Sequence, residues 1–280
     1  VVVANCLCAV VLSFVSAGPD LLWRRKIPLR YLAAFVVSNY LFNSLQSAAF
    51  SRGLPMPTAL VVKNSGLLCQ MLVGKIFLRT TYSLRQIASA LVITIGIIVV
   101  VVFAKHPQKG TDLPVAADDA FGSEQIAAGI LLTGILCRSF GNAAVELAYN
   151  TYGKQYDETM FYMHALGLPL LLGTGGQQFV EQAVRWNHAR EVVLGVTVPV
   201  LWTCLAASVA LSYCSAMACA RVVGASSSVM LNLVLTGSRF LSVVISACWF
   251  HAPPYPPLLM WVGAALVVAG CTNFVLSPKL

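Results

Sequence analysis

Charge is scarce in this sequence. Lys and Arg number 18 and Asp and Glu 10, so 10% of the 280 residues are charged, whereas an ordinary soluble domain is about a quarter charged. A water-facing surface cannot be built from so few ionic side chains. Long polar stretches are also missing: the only extended polar connection is residues 105–124, KHPQKGTDLPVAADDAFGSE, which leaves no room for a soluble domain. No CxxC pair occurs, and His106, His164, His188 and His251 are scattered. Metal-ligand spacing is therefore absent, and no metal or cofactor is expected. Strand-type alternation is lacking too, which argues against a membrane β-barrel.

What remains is apolar. Hydrophobic residues make up 58% of the chain and the mean hydropathy is +0.80. A bilayer-crossing helix needs about 20 apolar residues, and nine stretches qualify: 1–18, 31–50, 57–78, 84–104, 125–148, 159–180, 192–217, 222–250 and 257–277. The chain reads as an all-α polytopic membrane protein whose helices satisfy their own backbone hydrogen bonds. It opens VVVANCLCAVV, with neither initiator Met nor charged flank. A cleaved signal peptide does not fit that opening, and a missing upstream helix does. Cys6, Cys8, Cys69, Cys137, Cys204, Cys214, Cys219, Cys248 and Cys271 all fall in apolar segments and read as small core residues.

Positive charge marks the cytosolic face. Alternate loops collect Arg24, Arg25, Lys26, Arg30, Arg79, Arg85, Lys154, Arg221 and Lys279 against Asp20, Asp157 and Glu158 on one side, a surplus of six positive charges. The opposite side carries Arg52, Lys105, Lys109, Arg185 and Arg190 against Asp112, Asp118, Asp119, Glu124, Glu181 and Glu191, a deficit of one. The first side is expected to be cytosolic. The isoelectric point near 9.1 then follows from orientation and attraction to anionic lipid, without nucleic acid.

The stretch 77–101 resembles 248–275 at an offset of 174 positions. Leu84 meets Leu258, Ile87 meets Trp261 and Gly96 meets Gly270. Duplicated halves are common in secondary transporters, where they enclose a site near the midplane.

Four cations and one acid lie within the apolar stretches: Lys63, Lys75, Arg138, Arg239 and Glu146. A Lys or Arg at mid-helix costs roughly 2.5–3.5 kcal/mol on insertion scales. Lys75 can snorkel to the cytosolic end. For Arg138 and Glu146 an ion pair and a ligand role stay equally open. Lys63, about 10 Å into its helix at 1.5 Å per residue, and Arg239, deeper still, reach neither surface easily. The 174-residue offset places them on related helices within a turn of each other. Two such cations, flanked by Asn64, Ser65, Gly66, Gly237 and Ser238, point to an anionic ligand such as phosphate, with a packing network around Glu146 as the rival. Phe161, Tyr162 and His164 open the sixth stretch as interfacial anchors or as a stacking wall. Ser226 to Asn232 reads as a close-packing face or a polar cavity wall.

These segments come in a recognisable order: IPLRY, MPTALVVKNSGLL, TTYSLRQIASALVITIGI, YGKQYDETMFYMHALGLPL, GVTVPVLW and LTGSRFLSVVISACWF. Over nearly the whole chain the series resembles the nucleotide-sugar transporters of the drug/metabolite transporter superfamily, and most of all the branch carrying UDP-N-acetylglucosamine and UDP-xylose. The resemblance implies a ten-helix bundle of two inverted five-helix repeats in one membrane domain, residues 1–280. The first repeat is 1–104, lacking its first helix, the lumenal loop is 105–124 and the second repeat is 125–280. It also implies a multi-pass protein of the Golgi or endoplasmic reticulum membrane that exchanges a cytosolic UDP-sugar for lumenal UMP by alternating access.

Several positions depart from the family pattern. Lys63 stands where the family has Arg, Arg239 takes a Lys position and Ser238 replaces an Arg. Gln46 and Ser47 replace paired Asn residues, and Met163 interrupts a motif in which Tyr162 and His164 are kept. The expected cargo site is Lys63, Arg239, Asn64, Ser65, Ser238, Tyr162, His164, Gln46 and Ser47. The expected partners are the nucleotide sugar, a nucleoside monophosphate and the bilayer, with homodimerisation left open. The alternatives are a same-fold transporter of another cargo (UDP-galactose, an adenine nucleotide or a nucleotide sulfate) or a non-transporting membrane scaffold. An intramembrane enzyme is not expected, because the apolar stretches hold no credible pair of nucleophile and base.

Overall fold

A computed structural model describes residues 2–18, 25–103, 117–188, 191–193, 196–198, 200–250 and 258–277. In chain order the helices are α1 (Val2–Ala17), α2 (Leu29–Ser51), α3 (Met56–Asn64), α4 (Gly66–Phe77), α5 (Leu84–Phe103), α6 (Ala117–Tyr152) and α7 (Tyr156–His188). A short antiparallel hairpin, β1 (Glu191–Val193) with β2 (Val196–Val198), precedes α8 (Val200–Ala225), α9 (Ser228–Phe250) and α10 (Leu258–Leu276).

Local chemistry sets the ends of these elements. Gly18 at φ +72° and Gly153 at φ +89° follow α1 and α6, in the left-handed conformation that closes a helix and that glycine adopts without a Cβ penalty. Asp157 and Glu158 occupy the first turn of α7, where the helix dipole favours negative charge. Helix α8 starts at Val200 rather than near 192, because the β-branched run before it pairs as strands. It also ends later than hydropathy places it. The Ser227 hydroxyl accepts the Met230 N–H at 3.2 Å and caps α9, so the boundary falls at Ser226–Ser227 and not at 216–222. Helix α6 begins within the stretch expected as loop 105–124, whose residues 105–116 lie outside the described residues.

The chain separates into two compact units. The first comprises residues 1–40 and 144–226. There α1 packs on α7, with Phe14 and Phe161 ring centroids 6.3 Å apart. The buried Glu158 carboxylate accepts the Lys26 N–H at 3.0 and 3.1 Å and the Ile27 N–H at 2.9 Å. Tyr149 meets Tyr156 edge-on at 5.5 Å.

The second unit comprises residues 41–143 and 227–280. Its tightest pairing is α5 against α10. A Cβ on Gly96 would lie 2.9 Å from the Gly263 carbonyl oxygen, and one on Gly263 would lie 2.8 Å from that of Gly96. These helices run antiparallel, since Asn273, further along α10, donates to Ser89, earlier on α5, at 2.8 Å. Around them Leu67, Met71, Ile93, Ile97, Val229, Leu233, Val267 and Phe274 form one apolar core. A second core gathers Phe42, Leu54, Cys69, Leu131 and Ile135.

Among the described residues, Thr58–Phe77, Gly122–Tyr152 and Leu201–Ala225 are long and apolar enough to cross a bilayer, and Cys6–Ser16, Leu84–Val100 and Trp261–Leu276 are shorter apolar helices. Large apolar side chains are widely exposed: Leu84 is 85%, Leu258 81% and Trp249 80% accessible. Such exposure over many turns is tolerable where the solvent is lipid. Cys204 and Cys214 are exposed on α8, unlike the core positions expected for them. The side chain of Cys248 lies outside the described residues.

Candidate functional site

The stretch expected as one helix over 57–78 is interrupted at Ser65, which separates α3 from α4. Asn64, Ser65 and Gly66 supply the reason. Asn and Ser offer the backbone local side-chain hydrogen bonds, and Gly has low helix propensity. The Ser65 hydroxyl donates to the Val62 carbonyl at 2.6 Å, and the Ser65 N–H also turns back to Val62 at 3.1 Å.

Beside this break the Arg239 guanidinium of α9 donates to the Lys63 carbonyl at 3.4 Å, a long bond that nonetheless places the two residues together. The Lys63 ammonium sits 5.5 Å from the centre of the Phe50 ring. The Arg138 guanidinium of α6 lies 4.9 Å from that of Phe42. Both Arg239 and Arg138 act electrostatically on Lys63, so α3, α6 and α9 bring three cations into one neighbourhood of the second unit. Aromatic faces attract cations by ~0.5–2 kcal/mol. Among the described residues neither Lys63 nor Arg239 has a carboxylate partner.

The remaining expected site residues are distributed unevenly. Asn64 is buried at 5% accessibility, and its side-chain oxygen has no hydrogen-bond partner among the described residues. The Ser65 hydroxyl is spent on its own helix, as is that of the exposed Ser238, which donates to Leu235 at 2.9 Å. Gln46 is half-buried and one turn from both Phe42 and Phe50, so it shares the α2 face that meets the cations. Ser47 is exposed and a quarter-turn or so off that face. Tyr162 and His164 belong to the first unit, on α7; both are half-buried, and Tyr162 meets Phe161 edge-on at 5.2 Å. Lys75 is exposed in the last turn of α4, as snorkelling requires.

A buried amide cluster adjoins the break. Gln70, fully buried on α4, donates to the Ser228 hydroxyl at 2.8 Å and accepts from Asn232 at 3.3 Å and Asn142 at 3.5 Å. The stretch Ser226 to Asn232 thus supplies polar partners to α4. The sequence signal for the cluster was weak, because an isolated Gln in an apolar run is not conspicuous as a charge would be.

Chemically, the arrangement can hold an anion. A guanidinium offers two parallel donors to phosphate oxygens and an ammonium offers a point charge. Among the described residues no three His, Cys, Asp or Glu side chains cluster as a metal site.

Comparison with known proteins finds similarity to nucleotide-sugar transporters. The chain is 27% identical over 260 residues to a UDP-N-acetylglucosamine transporter of Dictyostelium discoideum, covering 91% of this chain and 73% of that protein. It is 27% identical over 262 residues to an endoplasmic reticulum GDP-fucose transporter of Drosophila melanogaster, covering 90% and 74%. It is 26% identical over 253 residues to a UDP-xylose and UDP-N-acetylglucosamine transporter of Danio rerio, covering 88% and 75%. These relatives are transporters, not enzymes. Residues 2–277 match the UAA transporter family, and the chain is a membrane protein belonging to that family.

Proposed function

We propose that the protein is a nucleotide-sugar antiporter, moving a cytosolic UDP-sugar, UDP-N-acetylglucosamine or UDP-xylose, into the Golgi or endoplasmic reticulum lumen in exchange for UMP. The observation that carries this reading is the meeting of Lys63 and Arg239 at an interrupted helix, with no carboxylate partner among the described residues. Lys63, in the last turn of α3, and Arg239, within α9, cost roughly 5–7 kcal/mol together on insertion scales if both lie at membrane depth, and a diphosphate that bridges them offsets that cost while it is bound. Neutralisation by the cargo, and not by a resident acid, lets the site release one anion for another.

The reading includes two inverted five-helix repeats in a ten-helix domain. It is supported by the element positions: Leu84 and Leu258 open α5 and α10, Ser51 and Ala225 close α2 and α8, and each pair is separated by 174 residues. Asn64 and Gln46 are assigned to hydrogen bonding of the cargo, and the sequence resemblance alone assigns Tyr162 and His164 to contacts with its base or sugar. Ser65, Ser238 and Ser47 are secondary candidates.

A second cargo reading has its own support. The GDP-fucose transporter is as similar to this chain as the UDP-N-acetylglucosamine transporter, at 27% identity each, so overall likeness does not select the base. Thermal stabilisation of the purified full-length protein by UDP-N-acetylglucosamine, UDP-xylose, GDP-fucose, UMP and GMP tests both. Stabilisation by the uridine compounds alone is expected, and stabilisation by the guanosine compounds alone replaces the cargo. No stabilisation by any of them removes nucleotide binding from the account.

A further inference from the structure

The amide cluster at Gln70 lies outside the proposed cargo contacts, since Gln70 has no accessible surface. Its place in the packing says what it does. Along the α4–α9 pairing, Gln70 meets Ser228 and Asn232. Gly66 faces Asn232, whose side-chain oxygen would lie 3.7 Å from a Cβ there, and just across the break Lys63, at the end of α3, meets Arg239. As the first number falls the second rises, so the segments run antiparallel in a single register. Asn232 and Arg239 are seven residues apart, about two turns, and share a face of α9.

We infer that Gln70 is a positioning residue: by bonding Ser228 and Asn232 at once it fixes the register of α4 against α9 and so sets where Arg239 stands relative to Lys63. Apolar contacts alone do not define such a register between two helices in lipid, because a slip of one turn exchanges one set of apolar side chains for another. A slip here would leave the Gln70 amide unpaired in a buried site, which is the way a single buried amide specifies alignment in paired helices. Asn232 also returns a bond to the Ser228 carbonyl at 3.0 Å, so the α9 side of the cluster is itself held.

This inference rests on the anion-site reading for its consequence but not for its geometry, and its test separates the two. Gln70→Met keeps the side-chain volume and removes both hydrogen-bonding ends; Asn232→Ala removes one donor and serves if Gln70→Met does not fold. In full-length protein, Gln70→Met should weaken the UMP affinity read from thermal stabilisation roughly tenfold, equivalent to about 1.4 kcal/mol and within the range of interhelical hydrogen bonds in membranes. In a Lys63→Ala background the same change should cause no further loss, because a residue acting through the cation pair has nothing left to position. Additive losses, or no loss at all, overturn the inference. The cargo-independent arm uses Lys63→Cys with Arg239→Cys after replacement of the native cysteines. A short bifunctional thiol reagent should join the pair when Gln70 is present and not in Gln70→Met. Equal joining in both overturns the register claim even if the parent protein binds no nucleotide.

Discussion

Placing a methyl group at Gly96 probes the α5–α10 contact directly. The new Cβ would lie 2.9 Å from the Gly263 carbonyl oxygen, 2.9 Å from a Val267 methyl and 3.1 Å from Leu266 Cβ. Ordinary Cα–H···O contacts are about 3.3–3.6 Å and carbon pairs prefer about 3.5–4.0 Å, so the helices must separate by roughly half an ångström. The first obstacle is backbone and cannot rotate away. Overpacking of this kind costs about 1–3 kcal/mol, and the better helix propensity of Ala returns about 0.5–1 kcal/mol, leaving Gly96→Ala destabilised by ~1–2 kcal/mol. Gly263→Ala meets the Gly96 carbonyl at 2.8 Å and should cost as much. The double variant should cost less than the sum, because one separation relieves both clashes. Gly129→Ala, with nothing within 4 Å of its Cβ, is the control and should be neutral or stabilising. Thermal midpoints in detergent report all four. Equal midpoints for Gly96→Ala and Gly129→Ala would refute the close approach of α5 and α10.

Two further predictions concern loop ends. Arg79 holds φ +52° just beyond α4, where Thr80 N–H returns to the Gly74 carbonyl at 3.3 Å. Glycine suits that left-handed position, so Arg79→Gly should raise the thermal midpoint, by the ~1 kcal/mol typical of such strain. Glu158→Ala should lower the midpoint, by about 1–3 kcal/mol, because the buried Ile27 N–H loses its acceptor. Glu158→Gln keeps one acceptor oxygen and should lose less.

Much of the helical layout was legible because hydrophobic length is a local property: α2, α5 and α10 begin and end close to where the apolar runs do. The ends that moved are those set by single side chains, such as Ser227 capping α9, or by β-branched residues that pair as strands before α8. The break at Ser65 left no mark on hydropathy, although Asn64, Ser65 and Gly66 in succession are poor helix formers. Lys63 and Arg239 stood out as charges in apolar surroundings, and the structure brings them together. Phe42 and Phe50 could not be picked from other aromatics, since their role comes from cations on α6 and α3. Gln70 depends on partners 158 and 162 residues away, which no local pattern encodes.

The central claim is that Lys63 and Arg239 together hold the phosphates of an exchanged cargo. It is tested most directly in proteoliposomes containing the full-length protein, preloaded with UMP, by following uptake of labelled UDP-N-acetylglucosamine for wild type, Lys63→Ala and Arg239→Ala. Uptake that requires internal UMP and falls at least tenfold in each folded variant is the predicted result. Uptake unchanged by loss of either cation, or independent of internal nucleotide, would contradict it.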